Sequence, residues 1–364
     1  MKKVFFVFIL IMLSTKITSV QAISTSATSA ILMDLDGGRI LYAEEIHNQR
    51  SVASISKVMT AIVSIENKNI EDKVTIGEEI NTAYGSGIYI KSGEELTMKD
   101  LLYGLMLRSG NDAALAIAHH TAGSVEKFVV KMNEKAKEIG MTNSIFNNPS
   151  GLDQEKGNFS TAYDMALLMR YAYQNETFRT IMGTKQYKLT TNKNTYVWTN
   201  KNKLLNLYKY TTGGKTGFTE KARRTLITTA SKDDLNLVVV TLNDGNDWQD
   251  HMDLFDYGFN TYDSYELVKE GTIQIYDEVY YEDYDLYIKD KFKYALTEEE
   301  RKQIVLKFEL EKARIIENDS IVGKVRIFLG DEEIGTRDIY VREKESEQKK
   351  SNFQKLIEWF KNLW

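Results

Sequence analysis

Two apolar runs, residues 225–230 and 235–242, are separated only by a polar turn containing Lys232, Asp233 and Asp234. A similar pair flanks Asp36-Gly37-Gly38 near the start of the chain. Asp and Gly tolerate the positive φ angles of a tight hairpin, so the early pair reads as two strands joined by a turn, and the later runs read as strands too. A further strand-like run covers residues 187–191. Between these strands apolar residues recur at helical spacing. One stretch is 54–66, with Val58, Met59, Ile62 and Val63 on one stripe. Another is 98–120, interrupted at Arg108-Ser109-Gly110-Asn111, and further stretches cover 125–139, ended by Gly140, then 161–173 and 248–259. Strands at both ends with helices between them predict an α+β domain over residues 23–261, a sheet covered by a helical cluster.

The character changes after about residue 262. Short alternating stretches at 272–276, 304–308 and 325–329 are separated by charged turns or by Gly330-Asp331, which predicts a small all-β domain over 262–342. Residues 342–350 are a charged linker. Beyond it, Phe353, Leu356, Ile357, Phe360, Leu363 and Trp364 share one helical face, while Gln354, Lys355, Glu358, Lys361 and Asn362 are polar. An aromatic-rich, lysine-bearing amphipathic helix of this kind suits a membrane interface, the alternative being a helix docked on the β-domain or on a partner. At the other end, Met1-Lys2-Lys3 precedes an unbroken apolar run from Val4 to Leu13, and Val20-Gln21-Ala22 is a small-x-small cleavage pattern. Residues 1–22 therefore read as an export signal whose apolar run is too short to span a bilayer comfortably.

Composition narrows the classes of function. The 364 residues carry a formal net charge of −5, which offers no basic excess to a phosphate backbone, so nucleic acid is not an expected partner. There is no cysteine, which removes disulfides, thiolate metal sites and thiol nucleophiles together.

Three short segments carry chemistry. In Ser54-Ile55-Ser56-Lys57 the i and i+3 positions of a helix share a face, so a hydroxyl and an amine can point into one site. At a helix N-terminus the free N–H groups would favour negative charge on a reacting oxygen. The commoner meaning of such a pair is an N-cap beside a solvated lysine. Ser109-Gly110-Asn111 falls where the helical pattern breaks, which exposes side chains at a loop tip, although the same residues make ordinary turns. Lys215-Thr216-Gly217, preceded by Gly213-Gly214, lets a strand edge approach a ligand closely, with Lys and Thr available to an anion. A hairpin turn with an exposed lysine reads the same way.

Taken in order, Ser-x-x-Lys, Ser-x-Asn and Lys-Thr-Gly resemble the signature of penicillin-recognising serine enzymes. The blocks Val52-Ala-Ser-Ile-Ser-Lys-Val-Met-Thr-Ala, Leu107-Arg-Ser-Gly-Asn-Asp-Ala-Ala, Asn148-Pro-Ser-Gly-Leu-Asp, Ser160-Thr-Ala-Tyr-Asp-Met and Gly214-Lys-Thr-Gly-Phe-Thr sharpen this. They resemble the low-molecular-mass penicillin-binding proteins, the D-alanyl-D-alanine carboxypeptidases. The resemblance implies a domain with an antiparallel sheet and a helical cluster, then a small β-domain and a membrane-binding tail at 343–364. It implies that Ser54 attacks the penultimate D-alanine of a peptidoglycan stem peptide, that Lys57 takes its proton, and that a second cation such as Lys215 helps keep Lys57 uncharged. Ser109 would relay the proton to the leaving amine, and Asn111 would hold Lys57 and the substrate amide. Lys215 and Thr216, with Gly217, Phe218 and Thr219 alongside, would bind the substrate, and the N–H groups of Ser54 and Phe218 would form the oxyanion hole. Either Arg223 or Arg224 could assist Lys215. β-Lactams would be covalent inhibitors, and the chain would act outside the cytoplasmic membrane or at the cell wall. No cofactor or metal is implied.

Three competitors share the scaffold. A β-lactamase of the commonest type has Ser-Asp-Asn where this chain has Ser109-Gly110-Asn111. A non-catalytic wall-binding protein would be expected to have lost Ser54 or Lys57. A DD-endopeptidase would cut crosslinks instead of free tails. His47, His119, His120 and His251 form no metal-ligand pattern and read as structural or surface residues.

Overall fold

The sheet assembles from both ends of the α+β region because its three central strands, one from the start and two from the end, are apolar on both faces. In the computed structural model, which describes residues 23–153, 156–275, 280–312 and 316–344, β1 (Ser29–Asp34) pairs antiparallel with β2 (Ile40–Glu44). The helices follow as α1 (Lys57–Asn67), α2 (Met98–Tyr103), α3 (Asn111–Ala122), α4 (Val125–Ile139), α5 (Ala162–Ala172) and α6 (Glu176–Gly183). A separate hairpin, β3 (Gln186–Thr190) with β4 (Thr195–Thr199), precedes β5 (Thr211–Thr219), β6 (Arg223–Lys232), β7 (Leu235–Leu242) and the helix α7 (Asp247–Thr261). The five-stranded sheet runs β2-β1-β7-β6-β5, all antiparallel, so the first two strands dock on the last three.

Strand periodicity divides the core into two layers. Ile31, Met33, Ile227, Val238 and Val240 face the helical cluster around α1, α3 and α5. Leu32, Leu226, Leu237 and Val239 face Leu254 and Phe255 of α7. These side chains are fully or almost fully buried, each contributing roughly 1.5–3 kcal/mol relative to exposure. That two-sided burial is why the strands read as continuous apolar runs. The helices start where the sequence offers caps: Thr97 accepts from the Asp100 N–H, Ser124 from Lys127, Thr161 from Asp164 and Asn175 from Phe178. The α6 helix, two turns long, was not anticipated from the sequence.

Among the described residues from Asp263 onward, the regular structure is strand apart from one helical turn at Glu298–Arg301. β8 (Asp263–Val268) and β11 (Phe292–Leu296) form one antiparallel pair. β9 (Gly271–Ile273), β10 (Tyr284–Ile288), β12 (Ile304–Leu310), β13 (Ile321–Leu329) and β14 (Glu332–Glu343) build a second sheet in the order β9-β10-β14-β13-β12. Its own small core includes Val268, Ile288, Phe292, Val325 and Ile327. This β-module is fastened to the β1–β2 turn. Arg39 donates to the Ala295 carbonyl at 2.8 Å and reaches both carboxylate oxygens of Glu300, while the Ala295 N–H donates to the buried Asp34 carboxylate at 3.1 Å.

The expected leader and, from residue 345, the charged linker and amphipathic helix lie outside the described residues. Among the described residues no helix is long and apolar enough to cross a membrane.

Candidate active site

Lys57 organises the site. A single 3-10 turn, Ala53–Ser56, leads into α1, so Ser54 and Lys57 stand one turn apart at the start of a helix. The Lys57 side chain is completely buried. Its Nζ lies 3.1 Å from Ser54 Oγ, 2.7 Å from Asn111 Oδ1 and 2.5 Å from the Ser150 carbonyl oxygen. Asn111 is oriented by its own Nδ2, which donates to the Tyr84 carbonyl at 2.6 Å, so its oxygen is the atom turned to the amine.

Each partner is placed by a local device. Ahead of Asn111, α2 widens into a single π-turn, Gly104–Arg108, and Ser109 takes a left-handed conformation with φ 63°. For a residue with a Cβ that conformation costs about 1–2 kcal/mol, a local strain that aims Ser109 and Asn111 at the same point. The Ser150 carbonyl is delivered by the loop around the single proline. There Asn148 Oδ1 accepts from the Ser150 and Gly151 N–H groups, and the Pro149 carbonyl accepts from Thr60. Gly151 sits at φ 78°, and a Cβ on it would fall 2.0 Å from the Ala53 carbonyl oxygen, so only glycine lets this loop lie on the turn that carries Ser54. On the other side β5 passes equally close. A Cβ on Gly217 would stand 3.0 Å from the Ser54 nitrogen and 2.3 Å from Thr225 Oγ1.

Ser54, Ser109, Thr216, Gly217 and Phe218 line one cavity of about 310 Å3, together with Ser86, Lys201, Arg224, Asp247 and Trp248. Lys57, Asn111 and Lys215 lie behind its wall, nearly or fully buried. Thr219 stands apart from this group. Its hydroxyl donates to Asp153, which also accepts from Ser51, and it receives the Ala222 N–H. The two arginines separate as well. Arg224 is held by Asp247, stacks 5.4 Å above the Trp248 ring and lines the cavity. Arg223, at φ 57°, pairs with exposed Glu220 and lines a different cavity, with Arg50 and Lys221.

Electrostatics follow from burial. Desolvation pulls the Lys57 amine down to about 7, and the charge of Lys201 adds to this, while Asp112 opposes it. Lys215, whose Nζ donates to the Thr216 carbonyl at 2.7 Å, is pulled well below the usual lysine range, first by burial, then by Lys57 and Lys201. The cation that acts on Lys57 is thus Lys201, not Lys215 as the resemblance implied, and sequence reasoning did not single it out. It also missed the Ser150 carbonyl and the part of the wall formed by Asp247 and Trp248. His251 is buried between Thr228 and Thr241, and His47 lies against Tyr163. Among the described residues no three or more potential ligands gather into a metal site.

An α+β domain that brings a serine hydroxyl to a buried lysine amine, beside a Lys-Thr-Gly strand, has the arrangement a serine acyl-transfer site requires. The chain belongs to the serine-type D-alanyl-D-alanine carboxypeptidase family: residues 16–246 match peptidase S11, described as D-alanyl-D-alanine carboxypeptidase. Residues 262–347 match the C-terminal domain of penicillin-binding protein 5. The chain is 34% identical to D-alanyl-D-alanine carboxypeptidase DacF of Bacillus subtilis over 67% of its own length and 65% of that protein. It is 29% identical to D-alanyl-D-alanine carboxypeptidase DacD of Escherichia coli over 92% of this chain and 90% of the relative. Among solved structures, penicillin-binding protein 5 of Haemophilus influenzae superposes with a TM-score of 0.74 at 25% identity, covering 88% of this chain and 97% of that one.

Proposed function

We propose that this chain hydrolyses the terminal D-alanyl-D-alanine bond of peptidoglycan stem pentapeptides through an acyl-enzyme on Ser54, and that β-lactams acylate the same hydroxyl. The observation that carries the reading is the buried Lys57 amine 3.1 Å from Ser54 Oγ. An uncharged amine has two N–H groups and one lone pair. Asn111 Oδ1 and the Ser150 carbonyl take the two donors, which leaves the lone pair for the Ser54 proton. As that proton moves to Lys57, Oγ bonds to the carbonyl carbon of the penultimate D-alanine, and the N–H groups of Ser54 and Phe218 hold the oxyanion. The C–N bond then breaks. Ser109 gives its proton to the leaving nitrogen and is reprotonated by the Lys57 ammonium, which restores the free amine, and D-alanine departs. Water, deprotonated in turn by Lys57, cleaves the ester.

Lys215 and Thr216 bind the terminal carboxylate. An entering carboxylate restores the counter-charge that burial denies Lys215, so the lysine takes up a proton as substrate binds. Arg224 is the arginine of this pocket, because it shares the cavity with Thr216 whereas Arg223 does not. Gly217 lets β5 pass close to Ser54, Phe218 walls the carboxylate pocket, and Thr219 supports the strand end through Asp153.

Incubation with a stem pentapeptide will release D-alanine, whereas a crosslinked dimer will be cut more slowly, if at all. Faster cutting of the dimer would make the enzyme an endopeptidase, and no release from the pentapeptide would defeat the assignment.

The working division of the chain is a leader at 1–22, a catalytic domain at 23–261, a β-module at 262–342 and a membrane-interface tail at 343–364. It is supported by the composition changes and is consistent with a protein that acts outside the cytoplasmic membrane. The mature chain will co-sediment with vesicles containing anionic lipid, and the chain ending at residue 344 will stay in the supernatant. Equal partitioning of the two would remove the tail as an anchor.

A further inference from the structure

The charged side chains around the cavity do not balance. Three line it: Lys201, Arg224 and Asp247. Arg224 and Asp247 neutralise each other in a two-pronged pair. Lys201 is left over. Its Nζ donates to Ser86 Oγ at 3.1 Å, and among the described residues no carboxylate lies within ion-pair distance of it. Half-buried Arg108 beside it is in the same position, donating to the Thr199 carbonyl at 3.3 Å and pairing with no acid. Burial first, then Arg108, disfavours the charged form of Lys201.

The arrangement is built, not draped over the surface. The Lys201 N–H donates to the Leu107 carbonyl at 3.0 Å, two residues before Ser109. On one side of it, Asn200 Nδ2 donates to the carbonyls of Met182 at 3.2 Å and Thr184 at 3.0 Å. Across from it, the Ser86 carbonyl accepts the Asn111 N–H at 2.8 Å. Both halves are therefore fixed to the frame that holds Asn111 and Ser109. A cation held half-desolvated next to other cations is unfavourable until an anion arrives.

We propose that Lys201 and Ser86 form a second carboxylate subsite, distinct from the one at Lys215 and Thr216, which takes a further carboxylate of the stem peptide. The proposal rests on the functional reading above. A stem peptide offers two such groups upstream of the scissile bond: the free carboxylate of its glutamyl residue, and the side-chain carboxylate of the third residue where that is diaminopimelate and not lysine. The shared chemistry is a carboxylate delivered to an ammonium and a hydroxyl, a charge-assisted contact.

The test compares kcat/KM for D-alanine release from stem pentapeptides whose glutamyl carboxylate is free or amidated, and whose third residue is diaminopimelate, its side-chain amide, or lysine. Measurement well above the Lys57 titration keeps that base uncharged throughout. The wild-type protein will prefer one free carboxylate over its amide by about tenfold, and the preferred position identifies the source. Lys201→Met will lose that preference and Lys201→Arg will retain it, while both variants still react with a fluorescent penicillin, which presents neither upstream group. Indifference of the wild-type protein to both amidations would overturn the subsite, as would a Lys201→Met loss of equal size on acid and amide. Absence of D-alanine release from every peptide would bring down the functional reading together with it.

Discussion

Replacing Ser54 by alanine will abolish covalent labelling by a fluorescent penicillin and release of D-alanine, and the protein will stay folded. The substitution removes one hydroxyl at a partly exposed position. Lys57 keeps its hydrogen bonds to Asn111 and Ser150, and the longer Ser54 contact to the Ser150 carbonyl, at 3.5 Å, contributes little. The stability change should therefore stay within about 1 kcal/mol, visible as a nearly unchanged thermal transition. The rate effect has no such limit, because the atom that forms the covalent bond is gone. Labelling that persists at full stoichiometry in the alanine variant would mean another nucleophile, with Ser109 the first to examine.

Exchange of Lys57 for methionine will slow penicillin acylation by about 10³-fold or more, the usual scale for loss of a positioned base. The pH dependence separates this from mere distortion of the site. Lys57 is pulled down to about 7, so it accepts a proton only above that pH. Wild-type acylation should rise as pH increases through about 7 and then level off. The methionine variant should lack that limb, its residual rate changing little across the same interval. A variant that kept the limb would locate the titrating base elsewhere. Because the charge on Lys201 also disfavours the Lys57 ammonium, Lys201→Met moves the wild-type limb to higher pH.

Much of this could be read along the chain, for physical reasons that also explain what could not. The pairing of Ser54 with Lys57 is local, a matter of helical spacing, and the break at Ser109-Gly110-Asn111 is announced by its glycine. The strands over 225–242 declare themselves through apolar runs that the structure buries on both faces. Lys201, by contrast, sits between two asparagines in a polar stretch that reads as surface loop. Its place in the cavity depends on a backbone hydrogen bond to Leu107, far away in sequence. The Ser150 carbonyl carries no side-chain signal at all; only the turn residues from Asn147 to Gly151 hint that a backbone atom is being presented. The α6 helix escaped notice because two turns, with Phe178, Ile181 and Met182 as their apolar contacts, give too short a period to stand out. The functional residues were legible where chemistry and local geometry coincide, and hidden where distant segments had to meet first.

The clasp between Arg39, Glu300, Asp34 and Ala295 bears on how such an enzyme would patrol a wall. With the rear module tied to the turn beside the first strand of the main sheet, these contacts would resist swivelling of the cleft mouth against the module that carries the tail. A protein moored by that tail would hold its opening within the reach of the charged linker above the mooring. It would trim the layer of stems that passes at that level, leaving those nearer or farther to diffuse into range.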